Sequence, residues 1–143
     1  MTSIRREVLR EVIALDGSAS LRAAALLMEE RRIGSVGVLE DGALVGLVTE
    51  GDLVTAALVR GEPPEASIRQ AMRPVPCVPA DLSVDACQAT MRDHHTRHLL
   101  VEDGGVIVGI ITIRHILRLM LEDQRWAAQQ LEDYITGAPP QRA

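Results

Sequence analysis

The stretch GLVTEGDL at Gly46–Leu53 returns 63 residues later as GIITIRHI at Gly109–Ile116. Each copy writes an apolar strand that stops at a threonine and passes into a helix, and the copies part company where Asp52 in the first meets His115 in the second. The same offset pairs Ser20 with Ser83, Ala23 with Ala86, Met28 with Met91, Val38 with Val101, Val45 with Val108 and Thr49 with Thr112. One offset holding over so many positions identifies two homologous units.

Working outward, each unit reads the same way. In the second, VPCV (Val75–Val78) is a short extended piece and Pro79–Ser83 supplies turn and cap. Val84–His94 then sets Val84, Cys87 and Met91 at helical spacing. HLLVEDGGVIVGIIT follows as a hairpin about Asp103-Gly104-Gly105, ending at Thr112, and a helix starts at Ile113. The first unit runs through Val12–Leu15, helix Leu21–Arg31, strands Gly34–Leu39 and Leu44–Thr49 about Glu40-Asp41-Gly42, and a helix from Gly51 to Val59. The order β-α-β-β-α, twice, makes a mixed α/β (α+β) chain. Ser3 is expected to cap a short helix over Ile4–Arg10.

RGEPPEASIRQAMRPVPCVP joins the units and holds five of the seven prolines, a density that interrupts helices and ladders alike. Repeat 1 is therefore placed at 8–60, a proline-rich linker at 61–74, repeat 2 at 75–122, and an extended helix with its tail at 123–143. Along the last helix, predicted over 113–135, Leu117, Leu121, Ala128, Leu131 and Ile135 form one stripe that calls for a partner. Gly137 and Pro139-Pro140 stop that helix and leave a short frayed tail.

Composition bounds the function. With 143 residues, 47% of them apolar, the chain can build a core, but with no Phe, one Trp and one Tyr that core must be aliphatic. A net charge of −5 and a pI near 5.3 give no overall attraction to a phosphate backbone, and there are no aromatic platforms for single strands, so nucleic acid is not an expected partner. Cys77 and Cys87 lack C-x-x-C spacing and read as reduced thiols. The opening MTSIRREVLREV has no apolar leader region, and no run reaches bilayer length; a cytoplasmic protein without membrane association is the expectation.

The junction Thr49-x-x-Asp52 admits two readings. As a capping box, Thr49 and Asp52 simply satisfy the orphan N–H groups at a helix start. As a binding element, the same geometry offers a hydroxyl and N–H groups to phosphate and a carboxylate that can accept both hydroxyls of a ribose.

Duplicated β-α-β-β-α order, the Ala/Met helix pattern, the Asp-Gly hairpin turn and GLVTEGDL together resemble the tandem cystathionine-β-synthase (CBS) domain pair, or Bateman module, over residues 8–122. LEDYITG resembles the tail helix of small stand-alone bacterial members. The resemblance implies two three-stranded sheets about a pseudo-twofold axis, with two clefts between the repeats. It also implies a regulatory, non-catalytic role, an adenine nucleotide (AMP, ADP or ATP) or related adenosyl compound as ligand, no required cofactor, and flat homodimers acting on an unidentified regulated protein. By position, Thr49 would meet the phosphate, Asp52 the ribose, and Leu47 and Gly51 the sugar and base edge, with Pro76, Thr96 and Arg97 closing over the base from the other repeat.

The second copy departs from this pattern. A neutral imidazole at His115 cannot accept two hydroxyl hydrogen bonds as a carboxylate can, so one good nucleoside site per chain is expected. Thr112, Arg114 and His115, with Arg97, leave the second cleft degenerate or suited to an anion, although Arg114 reads equally as a solvated surface charge.

Other chemistry finds little footing. His94 and His98 have i, i+4 spacing, but a helix ending before His98 spoils the pair as metal ligands, and no metal is expected. His94 and His95 suit a helix C-terminus. GSASL at Gly17–Leu21 lies at a helix cap and not in a nucleophile elbow, and Cys87 sits on an apolar helix face. The remaining rival is a structural dimerisation or docking module with empty clefts, its function lying in the last helix, where Trp126 is a possible anchor.

Overall fold

The computed structural model describes residues 3–8 and 10–137. The first repeat consists of β1 (Ala14–Asp16), α1 (Leu21–Arg31), β2 (Ser35–Glu40), β3 (Ala43–Thr49) and α2 (Glu50–Val54), which continues as a π-wound turn over Thr55–Val59. The second consists of β4 (Cys77–Pro79), α3 (Val84–Asp93), β5 (His98–Asp103), β6 (Val106–Thr112) and α4 (Ile113–Thr136). Every element of the second begins 63 residues after its counterpart.

The duplication extends to backbone detail. In each three-stranded sheet the first strand pairs parallel with the second and the second antiparallel with the third. A register shift falls between Val38 and Leu39 and again between Val101 and Glu102. Ser20 accepts from the Ala23 N–H at 3.0 Å to start α1, and Ser83 accepts from the Ala86 N–H at 3.2 Å to start α3. Both helices are followed by a left-handed residue, Arg32 or His95, and both hairpins turn through two residues of positive φ, Asp41-Gly42 and Gly104-Gly105.

Burial explains which strand faces point inward. Val36, Val38 and Val48 pack with Leu21, Ala24 and Met28 in the first repeat. Leu99, Val101 and Ile111 pack with Val84, Cys87, Met91, Ile116 and Leu119 in the second. The opposite faces of the two sheets meet through Leu47, Leu100 and Ile110, so the repeats share an apolar seam between them.

The segments that lead into the repeats are exchanged. A 3-10 turn at Ile4–Glu7 precedes the first repeat but buries Ile4 in the core of the second, where the Ile4 N–H donates to Leu82 at 3.0 Å. A matching turn at Ile68–Gln70 precedes the second repeat but buries Ile68 and Ala71 in the core of the first, where the Ile68 N–H donates to Ala19 at 2.8 Å. Ion pairs repeat the exchange, Arg5 with Asp103 at 2.7 Å and Arg69 with Glu40. The proline-bearing connector is thus a packed element.

Two local expectations change. The helix expected over Ile4–Arg10 is a single 3-10 turn without a side-chain cap, because Ser3 is drawn into a bridge with Ser83 and the chain must soon run across to β1. The extended piece expected from Val12 pairs as a strand from Ala14. Helix α4 ends at Gly137, whose φ of 78° supplies the left-handed stop, and the tail expected beyond it lies outside the described residues. No helix among the described residues is long and apolar enough to cross a membrane.

Candidate functional site

Both readings of the Thr49–Asp52 junction begin from one geometry. β3 ends at Thr49 in extended conformation, and α2 starts at once, so Asp52 turns back under the strand end. The Thr49 Oγ1 accepts from the Asp52 N–H at 3.1 Å, while Asp52 Oδ2 accepts from the Thr49 N–H at 2.9 Å, a complete capping box. Asp52 Oδ1 accepts a second hydrogen bond from Arg73 Nε. Asp52 is buried, one of two buried charged residues among those described, and a buried carboxylate needs such partners.

Around this carboxylate lies a cleft of about 470 Å³. The first repeat contributes Thr49 and Asp52, the connector Arg73–Pro76, and the turn between α3 and β5 contributes His94, His95, Thr96 and His98. Pro76 and Thr96, expected opposite Asp52, do line it. Three other expected residues do not. Leu47 is fully buried in the apolar seam, packed with Leu100 and Ile110, and does not reach the cleft lining. Gly51 is exposed at the first turn of α2, outside the lining. Arg97 precedes β5 between Thr96 and His98 and faces the other way, into the second cleft.

That second cleft, about 630 Å³, is lined by Arg97, Thr112, Arg114 and His115 as expected, joined by Arg32 from the first repeat. Among the described residues none of these three arginines enters an ion pair, and Glu11 is the one acid in the lining. The question posed by His115 has a local answer. Its Nδ1 accepts from the Thr112 N–H at 3.1 Å, the bond that Asp52 Oδ2 makes in the first copy, so an imidazole nitrogen replaces a carboxylate oxygen as the cap. That role requires an unprotonated Nδ1. Burial lowers the His115 pKa from its ordinary value, more than Glu7 raises it, with Arg118 and Arg114 adding to the depression. Burial also lowers the His98 pKa, against the pull of Asp52 and with Arg97 and His115 reinforcing it.

Sequence reasoning missed Arg73 and the three cleft histidines. Arg73 sits between Met72 and Pro74 with no local signal, and its pairing with Asp52 becomes visible only once the connector bridges back to Leu47. His94 and His95 do close the C-terminal end of α3, as expected, but that end opens on the Asp52 cleft.

Elsewhere the chain offers structural roles. Ser20, within GSASL, caps α1. Cys87 is fully buried and its thiol is pushed up to about 11 by that burial, which removes thiolate character. Among the described residues no three His, Cys, Asp or Glu side chains gather into a metal-binding group.

A family model described as the CBS domain matches residues 4–59 and again 63–122. The uncharacterized protein MK0525 of Methanopyrus kandleri is 32% identical over 114 residues, covering 77% of this chain but only 58% of that protein. Among solved structures, a putative signal-transduction protein with CBS domains from Burkholderia ambifaria superimposes with a TM-score of 0.75 at 28% identity, over 85% of this chain and 93% of the other. The CBS domain pair of protein MJ0100, solved in complex with 5′-methylthioadenosine and S-adenosyl-L-methionine, gives 0.72 at 25% identity, over 84% and 96%.

Proposed function

The chain belongs to the CBS-domain family, and from that premise we propose that it is a regulatory, non-catalytic module that takes up the adenosine part of a nucleotide in the Asp52 cleft. One observation carries the reading: a buried carboxylate stands at the end of β3, against a cleft that both repeats and the connector build. Carboxylate oxygens are the acceptors a ribose diol needs, and the Thr49 N–H, donating to Asp52 Oδ2, orients the carboxylate. Pro76, Val75 and Thr96 offer the base an apolar wall with one polar edge. The solved complex of MJ0100 with two adenosyl compounds supports the ligand class, and AMP, ADP and ATP are the candidates to try first.

Such a ligand touches both halves of the molecule. It biases their relative packing in so far as it binds one arrangement more tightly than another, which is the physical content of a regulatory module. The second cleft, carrying His115 in place of a carboxylate and three arginines, is proposed as a degenerate site suited to an anion.

A structural docking role is the second reading, and the satisfied capping box favours it: Thr49 and Asp52 already form a complete local unit. Calorimetric titration with AMP, ADP, ATP, NADH and S-adenosylmethionine separates the two. The regulatory reading expects a signal from at least one adenine compound that disappears in Asp52→Ala. Silence from the parent protein, or binding that the substitution leaves intact, removes the Asp52 site and favours docking.

We further propose a homodimer. Val54 and Leu58 on the first repeat, and Leu117 and Leu121 at the equivalent places on α4, are all exposed apolar side chains. Two like patches at symmetry-related positions fit a two-fold partner.

A further inference from the structure

We propose that Arg73 is a latch on the Asp52 cleft, closing the carboxylate in the empty protein and turning to phosphate once displaced, so that the cleft prefers phosphorylated nucleosides over neutral ones. The proposal rests on the nucleoside reading given above and names the ligand class within it.

The Asp52 side chain is 3% exposed, while that of Arg73, its ion-pair partner, is 68% exposed. What faces solvent at this pair is therefore a surface guanidinium. Both carboxylate oxygens are engaged: Oδ2 by the Thr49 N–H and Oδ1 by Arg73 Nε. The Thr49 bond belongs to the start of α2 and cannot be released without fraying it. A ribose brings two hydroxyl donors, and the place it can gain is the one Arg73 occupies.

The Arg73 backbone bridges Leu47, a fully buried residue, and the neighbouring Met72 lies over Gly46, where an added Cβ would stand 2.6 Å from Met72 Sδ. The backbone is held and the guanidinium is not, so leaving Asp52 is a change of side-chain rotamer. Once released, the guanidinium stays at the cleft.

Among the described residues that line this cleft Asp52 is the sole acid and Arg73 the sole arginine, with no lysine beside them. A neutral nucleoside that takes Asp52 breaks the ion pair and leaves Arg73 without a counter-charge there. A phosphorylated nucleoside breaks the same pair and supplies a new anion, to which guanidinium forms charge-assisted bonds. Neutral ligands thus meet resistance that charged ones cancel.

The test uses the full chain titrated by calorimetry with adenosine, AMP and ATP, in the parent, Arg73→Ala and Arg73→Lys. Arg73→Ala is expected to bind adenosine about tenfold more tightly and AMP about tenfold more weakly, reversing the order of preference, while Arg73→Lys keeps AMP ahead. Alongside, a double-mutant cycle of Asp52→Asn and Arg73→Ala in urea unfolding, without ligand, is expected to show coupling between the two sites. Adenosine and AMP affinities that move together, or stay unchanged, in Arg73→Ala overturn the latch while leaving the nucleoside site standing if Asp52→Ala still abolishes binding. Additive behaviour in the cycle also overturns it. If neither parent nor variant binds any of the three ligands, the nucleoside reading itself fails, and coupling between the two residues then marks a structural tie only.

Discussion

At the scale of single residues, Asp52 and His115 perform one backbone task with different atoms, and that difference governs how each responds to pH. His115 caps α4 through an unprotonated Nδ1 and His98 is likewise held neutral, so both fold with pKa values below the ordinary histidine value of 6.5. Between the folded value and 6.5 the unfolded chain binds more protons, so stability is complete above that window and is lost as pH falls through it. Urea midpoints at successive pH values should decline on the acid side of neutrality, and His115→Gln should flatten part of that decline. His115→Ala should cost about 1 kcal/mol through loss of the cap. His115→Asp restores the carboxylate without losing the cap, and calorimetry should then register a second adenine-nucleotide event per chain. At Cys87, alkylation by iodoacetamide near neutral pH should leave the thiol untouched in the folded protein while the exposed Cys77 is modified, with both labelled in denaturant. The capping role of Thr49 and Asp52 was legible from T-x-x-D alone, because it depends on residues three apart. The Arg73 contact was not, since 21 residues separate it from Asp52 and only the folded connector closes that gap.

At the scale of elements, helices and hairpins were readable because their signals are local: serine caps, apolar spacing, and turns through Asp41-Gly42 and Gly104-Gly105. Leading turns were less so. Ile4 and Ile68 sit in short apolar stretches whose periodicity says nothing about which core receives them. Each is fully buried, so Ile4→Ala and Ile68→Ala should each lower stability by about 2–5 kcal/mol in urea unfolding. Tested by hydrogen exchange, the lost protection should appear in the repeat that receives the side chain: β4–β6 for Ile4, and β1–β3 for Ile68. Helix α4 was read with nearly its observed bounds, and the stripe that called for a partner is exposed at Leu117, Leu121, Leu131 and Ile135. Inward contact comes from the neighbouring positions Ile116 and Leu119.

For the whole molecule, duplication made the architecture legible, since one offset relates both the residues and the element starts. What the linear pattern lacked was the direction in which each cleft faces, which is why Arg97, expected at both clefts, lines only the second of them. The proposed homodimer draws on the same symmetry. Leu117→Glu with Leu121→Glu should convert a dimer to a monomer in sedimentation velocity while leaving the circular dichroism spectrum unchanged, because neither side chain belongs to the core. The traded leading turns have a further meaning. A polypeptide holding one copy of the unit would present an empty slot where a foreign wedge belongs and carry a wedge with nowhere of its own to lodge. Two such molecules would have to clasp each other to be complete, and joining them end to end would turn that embrace into contacts within a single chain. Opened again between Arg60 and Gly61, the two fragments should each be incomplete apart and find one another when mixed.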